Sequence, residues 1–346
     1  MQILDFQESD YENYENFLEN HNAELYQSLP WVKFQQNSPN NRQFWILVAQ
    51  NKQKWLGTIL LIKYRLPFGR SWFSVARGPI ITNNSLEDQA QIWGLFLEKI
   101  RVIAKKEKAI FLRLELPINS HLKLSGKGWR KAHAHYFPEW SIKIDLTLSE
   151  ENLLKQMKSK GRYNIKIAQK AVEIRVTAKE KDIHDFYEIL KQTGGRDGFS
   201  IHEEAYYQAL IHAANQDNWG EFLVAEYQGK IIGGIMVTFY SDTATYYYGA
   251  SDYENRSLMA PYLLQWNAIL AAKKRGLKKY DLLGIAPPDE PNHPWQGITR
   301  FKEKFGGEIV NYPLAKELIF RPIEYYYFRL LKWIRGSTRR LFSRKA

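Results

Sequence analysis

The chain has 346 residues, 45% of them hydrophobic and 25% charged, with a formal charge of +12 and no cysteine. These values fit two medium globular domains or one large one, and they exclude disulfides, a thiolate nucleophile and a cysteine-held zinc or iron–sulfur site. A positive surplus favours polyanionic partners (nucleic acid, phosphorylated small molecules, an anionic membrane) where the cations cluster, and is a generic solubility charge where they do not.

The opening MQILDFQESDYENYENF has no basic region followed by an apolar one, so it does not read as a signal peptide. No apolar run approaches the ~20 residues of a spanning helix. A cytoplasmic location is the expectation. Leu47–Tyr64, LVAQNKQKWLGTILLIKY, reads as strand, polar turn and strand, a β-hairpin. SWFSVA is a further strand, DQAQIWGLFLEKIRVIAKK a helix, and AIFLRLELP a buried strand. After the strand WSIKIDL, a helix begins with Ser149 as N-cap and acidic residues in its first turn.

The same order then returns. LVAEYQGKIIGGIMVTFY, Leu223–Tyr240, aligns with the first hairpin without a gap: Lys54 meets Lys230, Gly57 meets Gly233, and Tyr64 meets Tyr240. ATYYYGAS, PYLLQWNAILAAKKRG and KKYDLLGI follow as strand, helix and strand. Tyr262, Trp266 and Ile269 carry helical spacing. Ala104-Lys105-Lys106 and Ala272-Lys273-Lys274 end the two helices alike, with lysines at the negative end of the helix dipole. Two copies of one α/β (α+β) domain are implied, with mixed central sheets flanked by helices and a cleft between them as the natural binding place. The expected boundary is Ile144–Leu146, giving a first domain of 1–146 joined by a C-terminal helix at 316–346, and a second domain of 147–315.

Two segments concentrate positive charge. In Leu153–Lys170, Lys155, Lys158, Arg162 and Lys166 fall at steps of three and four, a phosphate-tracking stripe or a solvated face. In the tail, Arg321, Arg329, Lys332, Arg335, Arg339, Arg340, Arg344 and Lys345 face the single acid Glu324 among Tyr325, Phe328, Leu331, Trp333 and Leu341. That composition reads as an interfacial membrane or nucleic-acid contact, or as a helix packed on the first domain whose end beyond Gly336 is mobile. GITRFKEKFGGEIV, Gly297–Val310, taken alone, is the start of an amphipathic helix.

An ordered set of stretches resembles the FemABX peptidyltransferases: LPWVKFQQN, ARGPI, KSKGRYNIKIAQKAVEIRV, GGRDGFSIHEEAYYQAL, YYYGASDYENRSLMAPYLLQWNAI, YDLLGI and GITRFKEKFGGE. The resemblance covers most of the chain and implies two GNAT-like domains with the C-terminal helix returning to the first. It implies a monomeric enzyme that transfers an amino acid from aminoacyl-tRNA to a peptidoglycan precursor, UDP-linked or lipid-linked, with aminoacyl-tRNA as co-substrate and no cofactor or metal. The basic tail adds peripheral contact with the inner face of the membrane. With no long heptad run, the chain is similar to the short members that lack the coiled-coil arm.

The resemblance also places the site. Lys302 stands where the family has a Phe-Lys pair beside the tRNA acceptor end, with Phe301 to stack on the terminal adenine. Lys33 matches a lysine that contacts the precursor's diphosphate. Tyr206 and His202, four apart, share a helical face if both are helical. His202 stands where short relatives tend to have arginine, and Arg196 is near enough in sequence to compensate. Tyr247 matches a tyrosine lining the peptide site. Glu115, ending its strand, is a base or positions the amine. An acyl-CoA transferase is the rival reading, but Asn255–Pro261 has no glycine and Pro261 no N–H with which to cradle a pyrophosphate. A non-catalytic nucleic-acid or membrane-binding module is the third.

Overall fold

The computed structural model describes residues 1–82, 85–133 and 136–343. The chain divides into two units, the first formed by 1–21, 42–136 and the segment from 313 onward, the second by 22–41 and 137–312.

The first unit holds β1 (Gln2–Asp5), α1 (Tyr11–Asn20), β2 (Phe44–Asn51), β3 (Lys54–Arg65), β4 (Ser71–Ala76), β5 (Ile80–Ile81), α3 (Leu86–Lys106), β6 (Ala109–Glu115), β7 (Trp129–Lys131), β15 (Lys316–Ile319) and α10 (Pro322–Ser343). Its sheet runs β1-β2-β3-β4-β6-β15-β7, with β5 paired to β3. Ser85 caps α3 by accepting from the Asp88 N–H at 3.1 Å. Ile92, Phe96, Ile100 and Ile103, at steps of three and four, lay α3 on the sheet with Leu47, Ile59, Phe73 and Leu112. On another face Trp72, Ile110 and Phe111 receive Tyr325 and Phe328 of α10. Arg113 of β6 and Glu317 of β15 form a buried ion pair, and the Tyr325 hydroxyl donates to the other Glu317 oxygen.

The second unit holds α2 (Leu29–Asn37), β8 (Trp140–Asp145), α4 (Glu150–Gln156), α5 (Ser159–Ala168), β9 (Glu173–Val176), α6 (Glu180–Asp197), α7 (Glu204–Gln216), β10 (Gly220–Tyr227), β11 (Lys230–Tyr240), β12 (Thr243–Ser251), α8 (Ala260–Lys274), β13 (Lys279–Gly284), α9 (Gln296–Lys302) and β14 (Glu308–Asn311). Its sheet runs β14-β8-β13-β12-β11-β10-β9. α8 is buried on most sides, with Tyr262, Leu264, Trp266 and Ile269 in one core with Ile235, Val237 and Leu282.

The duplication read from the sequence extends to irregular features. Each hairpin slips register at the aligned alanine, between Ala49 and Gln50 in one unit and between Ala225 and Glu226 in the other. A Cβ on Gly57 would stand 3.0 Å from the Ile80 carbonyl, and one on Gly233 3.1 Å from the Ala250 carbonyl. Close approach of the next strand therefore explains both aligned glycines.

Three expectations need correction. β8 belongs to the second sheet, not the first domain: it pairs antiparallel with β13 and β14, and its Ile142 and Ile144 enter the second core. The boundary moves back from 144–146 to 136–137, and α2 with its flanks also joins the second unit. Phe305-Gly306-Gly307, which the repeated plan reads as the turn leading the chain back toward the first domain, does not return it to the first unit. Both glycines take positive φ and lead into β14, and the return comes at Pro313 instead of 316. The basic stripe is broken, since Leu153–Lys170 forms two helices. Lys155 pairs with Glu151 at 2.7 Å, Lys158 with Glu303 at 2.6 Å, and Arg162 donates to the Leu154 and Met157 carbonyls. Three of the four charges are thus engaged within the unit, while Lys166 is exposed. In the tail, α10 continues through Gly336 to Ser343, while Arg344, Lys345 and the side chains from Arg335 onward, with Arg339, Arg340 and Leu341, lie outside the described residues.

Candidate active site

The chemistry gathers around β12 in the second unit. The parallel partners β12 and β13 pair from Thr243–Lys279 to Thr245–Asp281, and the ladder has no further pairs beyond that point. In the first unit the equivalent pair, β4 and β6, shifts register between Ser71 and Phe73 and then stays paired to its end, Ala76 opposite Glu115. The same strand pair is therefore closed in one copy and open in the other. The opening begins where β12 bulges: Val237 faces Tyr246 and Met236 faces Tyr248, so Tyr247 is the extra residue. Tyr246 and Tyr248, opposite consecutive residues of β11, then lie on opposite faces of the sheet.

Lys302, the last residue of α9, reaches the Tyr246 side of this opening. It is 6% exposed, its Nζ donates to the Gly284 carbonyl at 2.7 Å, and it stands 5.5 Å from the Tyr246 ring centroid. Burial pulls its pKa down to about 7, with the Asp281 carboxylate opposing the shift. Asp281 accepts from Ser141 Oγ and from the Leu283 N–H at 2.7 Å, with Lys143 Nζ 3.6 Å away. Burial pushes the Tyr246 hydroxyl up to about 12. α9 is locked to the strand end through Thr299, whose Oγ1 accepts from the Ala286 N–H and donates to the Trp295 carbonyl, both at 2.8 Å. Phe301 packs edge-on to Tyr262 and Phe305, so much of its ring belongs to the core.

The other side carries an aromatic floor. Tyr247 meets Trp31 of α2 at 5.8 Å and Tyr26 at 6.2 Å, and Phe34 meets Tyr206 of α7 at 5.3 Å. Tyr248 hydrogen-bonds with the side chains of Tyr206 and Tyr247, and burial holds its hydroxyl well above the ordinary phenol range. His202 stacks on Tyr206 at 4.0 Å although it precedes α7; the loop, not a shared helical face, brings the rings together. At the rim, exposed Lys33 pairs with Asp217 at 2.7 Å. His202, Tyr206 and Tyr247 thus belong to one cluster, and Lys33 lies on the same α2 that supplies Trp31 and Phe34 to it.

The remaining expected residues lie elsewhere. The Arg196 guanidinium stands 5.3 Å from the exposed Tyr253 ring, with Arg256 at 4.1 Å from the same ring. Glu115, in the first unit, is buried at the end of β6 and accepts from the Tyr136 N–H at 2.8 Å. Sequence reading missed Tyr246, Tyr248, Asp281 and Asp217. Of these Asp281 carried a signal, a lone acid inside the apolar strand YDLLGI.

The turn before α8 tests the pyrophosphate reading. The Leu258 N–H donates to the Asn255 carbonyl at 3.0 Å and the Met259 N–H to Arg256 at 3.2 Å, and Pro261 has no N–H. The turn itself thus occupies the Leu258 and Met259 donors. Among the described residues no three His, Asp or Glu side chains converge on a metal site.

Comparison with known proteins agrees with this architecture. The chain is 19% identical over 331 residues to the lipid II:glycine glycyltransferase of Staphylococcus haemolyticus, covering 73% of this chain and 78% of that protein. A crystal structure of FemX superposes with a TM-score of 0.78 at 15% identity, over 94% of this chain and 99% of that one. A tandem GNAT protein from the clavulanic acid pathway gives a TM-score of 0.58 at 11% identity, over 91% and 97%. The FemAB family model matches residues 117–228 and 213–333, more than half of the sequence. The chain has the tandem GNAT fold and belongs to the FemAB family.

Proposed function

We propose that the protein transfers an amino acid from aminoacyl-tRNA to the stem-peptide amine of a peptidoglycan precursor, building a cross-bridge or side chain. The observation that carries this reading is the strand pair, open in the second unit alone, with Lys302 inside it and the aromatic floor across β12. Similarity to lipid II:glycine glycyltransferases supports the substrate class and makes glycine and a lipid-linked acceptor the first pair to test, with the UDP-linked precursor second.

The chemistry asks little of the protein. The acceptor amine attacks the ester carbonyl, a C–N bond forms, the C–O bond to the tRNA 3′ end breaks, and the amine proton goes to the leaving hydroxyl. Lys302 bonds one N–H to Gly284, which leaves its other positions for a developing oxyanion or a transferred proton. With a pKa of about 7, it exchanges a proton at neutral pH. Its burial restricts this role to a group that enters the opening. Tyr206, Tyr247 and His202 hold the peptide acceptor, Lys33 meets its diphosphate, and the exposed part of Phe301 contacts the tRNA end.

Incubation with charged tRNAs and either precursor tests the proposal. Labelled amino acid should pass to the precursor, and ribonuclease should abolish the transfer. No transfer from any charged tRNA, together with turnover of acyl-CoA, would overturn it in favour of an acyl-CoA reaction, which the occupied turn before α8 disfavours.

A further inference from the structure

α10 is turned inside out for a surface helix. Its packed side is Tyr325 and Phe328, while Ile323, Tyr326, Tyr327, Leu330, Trp333 and Ile334 are exposed by 44% to 85%. At 100° per residue these six fall within an arc of about 120°. The outward face is therefore a continuous apolar stripe, where a water-facing helix would be polar. A second element adds to it: Phe68, at the tip joining β3 and β4, is 92% exposed, and nearby Arg70 pairs with Glu324 in the first turn of α10.

Beside the stripe lies a cavity of about 850 Å³ in the first unit. Arg101, Lys105, Lys127, Arg130 and Arg321 line it, with no acid in its wall, and Tyr326 belongs to both cavity and stripe. Among the described residues no ion pair engages Arg101, Lys105 or Lys127, and Arg130 lies 5.4 Å from the Tyr326 ring. Arg321 pairs with Glu324 at 3.4 Å, and the other four, exposed and without an acid in the wall, offer an anion a concave positive site.

We infer that this face docks on an anionic bilayer, α10 lying in the interface and the cavity taking a lipid phosphate headgroup. Charge and composition select this occupant. A second copy of the chain would set two positive cavities against each other. RNA would satisfy the cations but give Ile323, Leu330 and Ile334 no burial. A bilayer satisfies both, with Tyr and Trp at headgroup depth. No helix among the described residues is long and apolar enough to cross a membrane, so contact is parallel to the surface. The inference is independent of the transfer reaction and of Lys302.

Vesicle flotation of the full chain tests it. The protein should float with phosphatidylcholine vesicles containing phosphatidylglycerol and stay behind with phosphatidylcholine alone, and salt should weaken the binding. Tyr327→Ser with Leu330→Ser and Trp333→Ser should lower vesicle affinity at least tenfold with thermal unfolding unchanged. Arg101→Gln with Lys105→Gln and Lys127→Gln should lose tenfold or more on anionic vesicles alone, since each cation near such a surface contributes several-fold. Equal flotation of either variant and the parent overturns the inference. So does a dimer in light scattering that the serine variant abolishes, binding of short single-stranded RNA in place of vesicles, or glycerol phosphate that fills the cavity while vesicles are ignored.

Discussion

At the scale of single residues, Lys302 couples function to stability in a way that pH reads out. Its folded pKa is about 7 and its unfolded value 10.5, so between these the unfolded chain binds the extra proton. Stability then rises with pH across that window, by at most ~1.4 kcal/mol per unit, and the full penalty applies below pH 7. Denaturant unfolding from pH 6 to 10 should show this rise in the parent and its loss in Lys302→Met, which should be as stable as the parent at pH 6 or more so. Transfer by that variant should fall at least 100-fold, whereas Lys304→Met, whose residue packs beside Tyr262 outside the opening, should stay within a few-fold. Glu115→Gln separates positioning from base catalysis: a loss of roughly tenfold or less leaves no essential base there. Gly249 is equally constrained, since a Cβ would stand 2.2 Å from the Tyr246 hydroxyl. Gly249→Ala should cost about 1–3 kcal/mol, and Tyr246→Leu in the same chain should recover most of it in a double-mutant cycle.

At the scale of elements, α5 fixes where α9 ends. A Cβ on Gly161 would stand 2.6 Å from the Lys304 carbonyl, which accepts from the Lys158 N–H at 3.1 Å. Gly161→Ala should push the segment after Lys302 outward and lower both the melting temperature and the transfer rate, with a circular-dichroism melt and the tRNA assay as the checks. Elements of this kind were legible in the sequence where periodicity and punctuation agreed, as in both hairpins and in α3, α8 and the Ser149 cap. The assignment of β8 was not, because Ile142 and Ile144 bury equally well in either sheet and partner choice is a long-range matter. The β12 bulge was hidden too: YYYG shows three tyrosines, and only pairing with Met236 and Val237 makes Tyr247 the extra one. Burial of Lys302 could not be read from RFKEKF, where Arg300, Lys302 and Lys304 look alike.

At the scale of the whole molecule, the positive surplus and the repeated domain act together. If aminoacyl-tRNA is the donor, its affinity should fall steeply and log-linearly with salt, measured by filter binding, while acceptor affinity changes less. Duplication supplied two copies of one strand pair, and only one is open; the closed copy is reinforced by the buried Arg113–Glu317 pair. That pair depends on β15, which enters the first sheet between β6 and β7 from the far end of the chain. The order of synthesis therefore matters. A ribosome that has made residues up to 312 has delivered every residue of the second unit but leaves β6 with an open edge and Arg113 buried without its acid. The second unit should become protease-resistant on stalled nascent chains before the first, and the first should wait for β15 as its final stave.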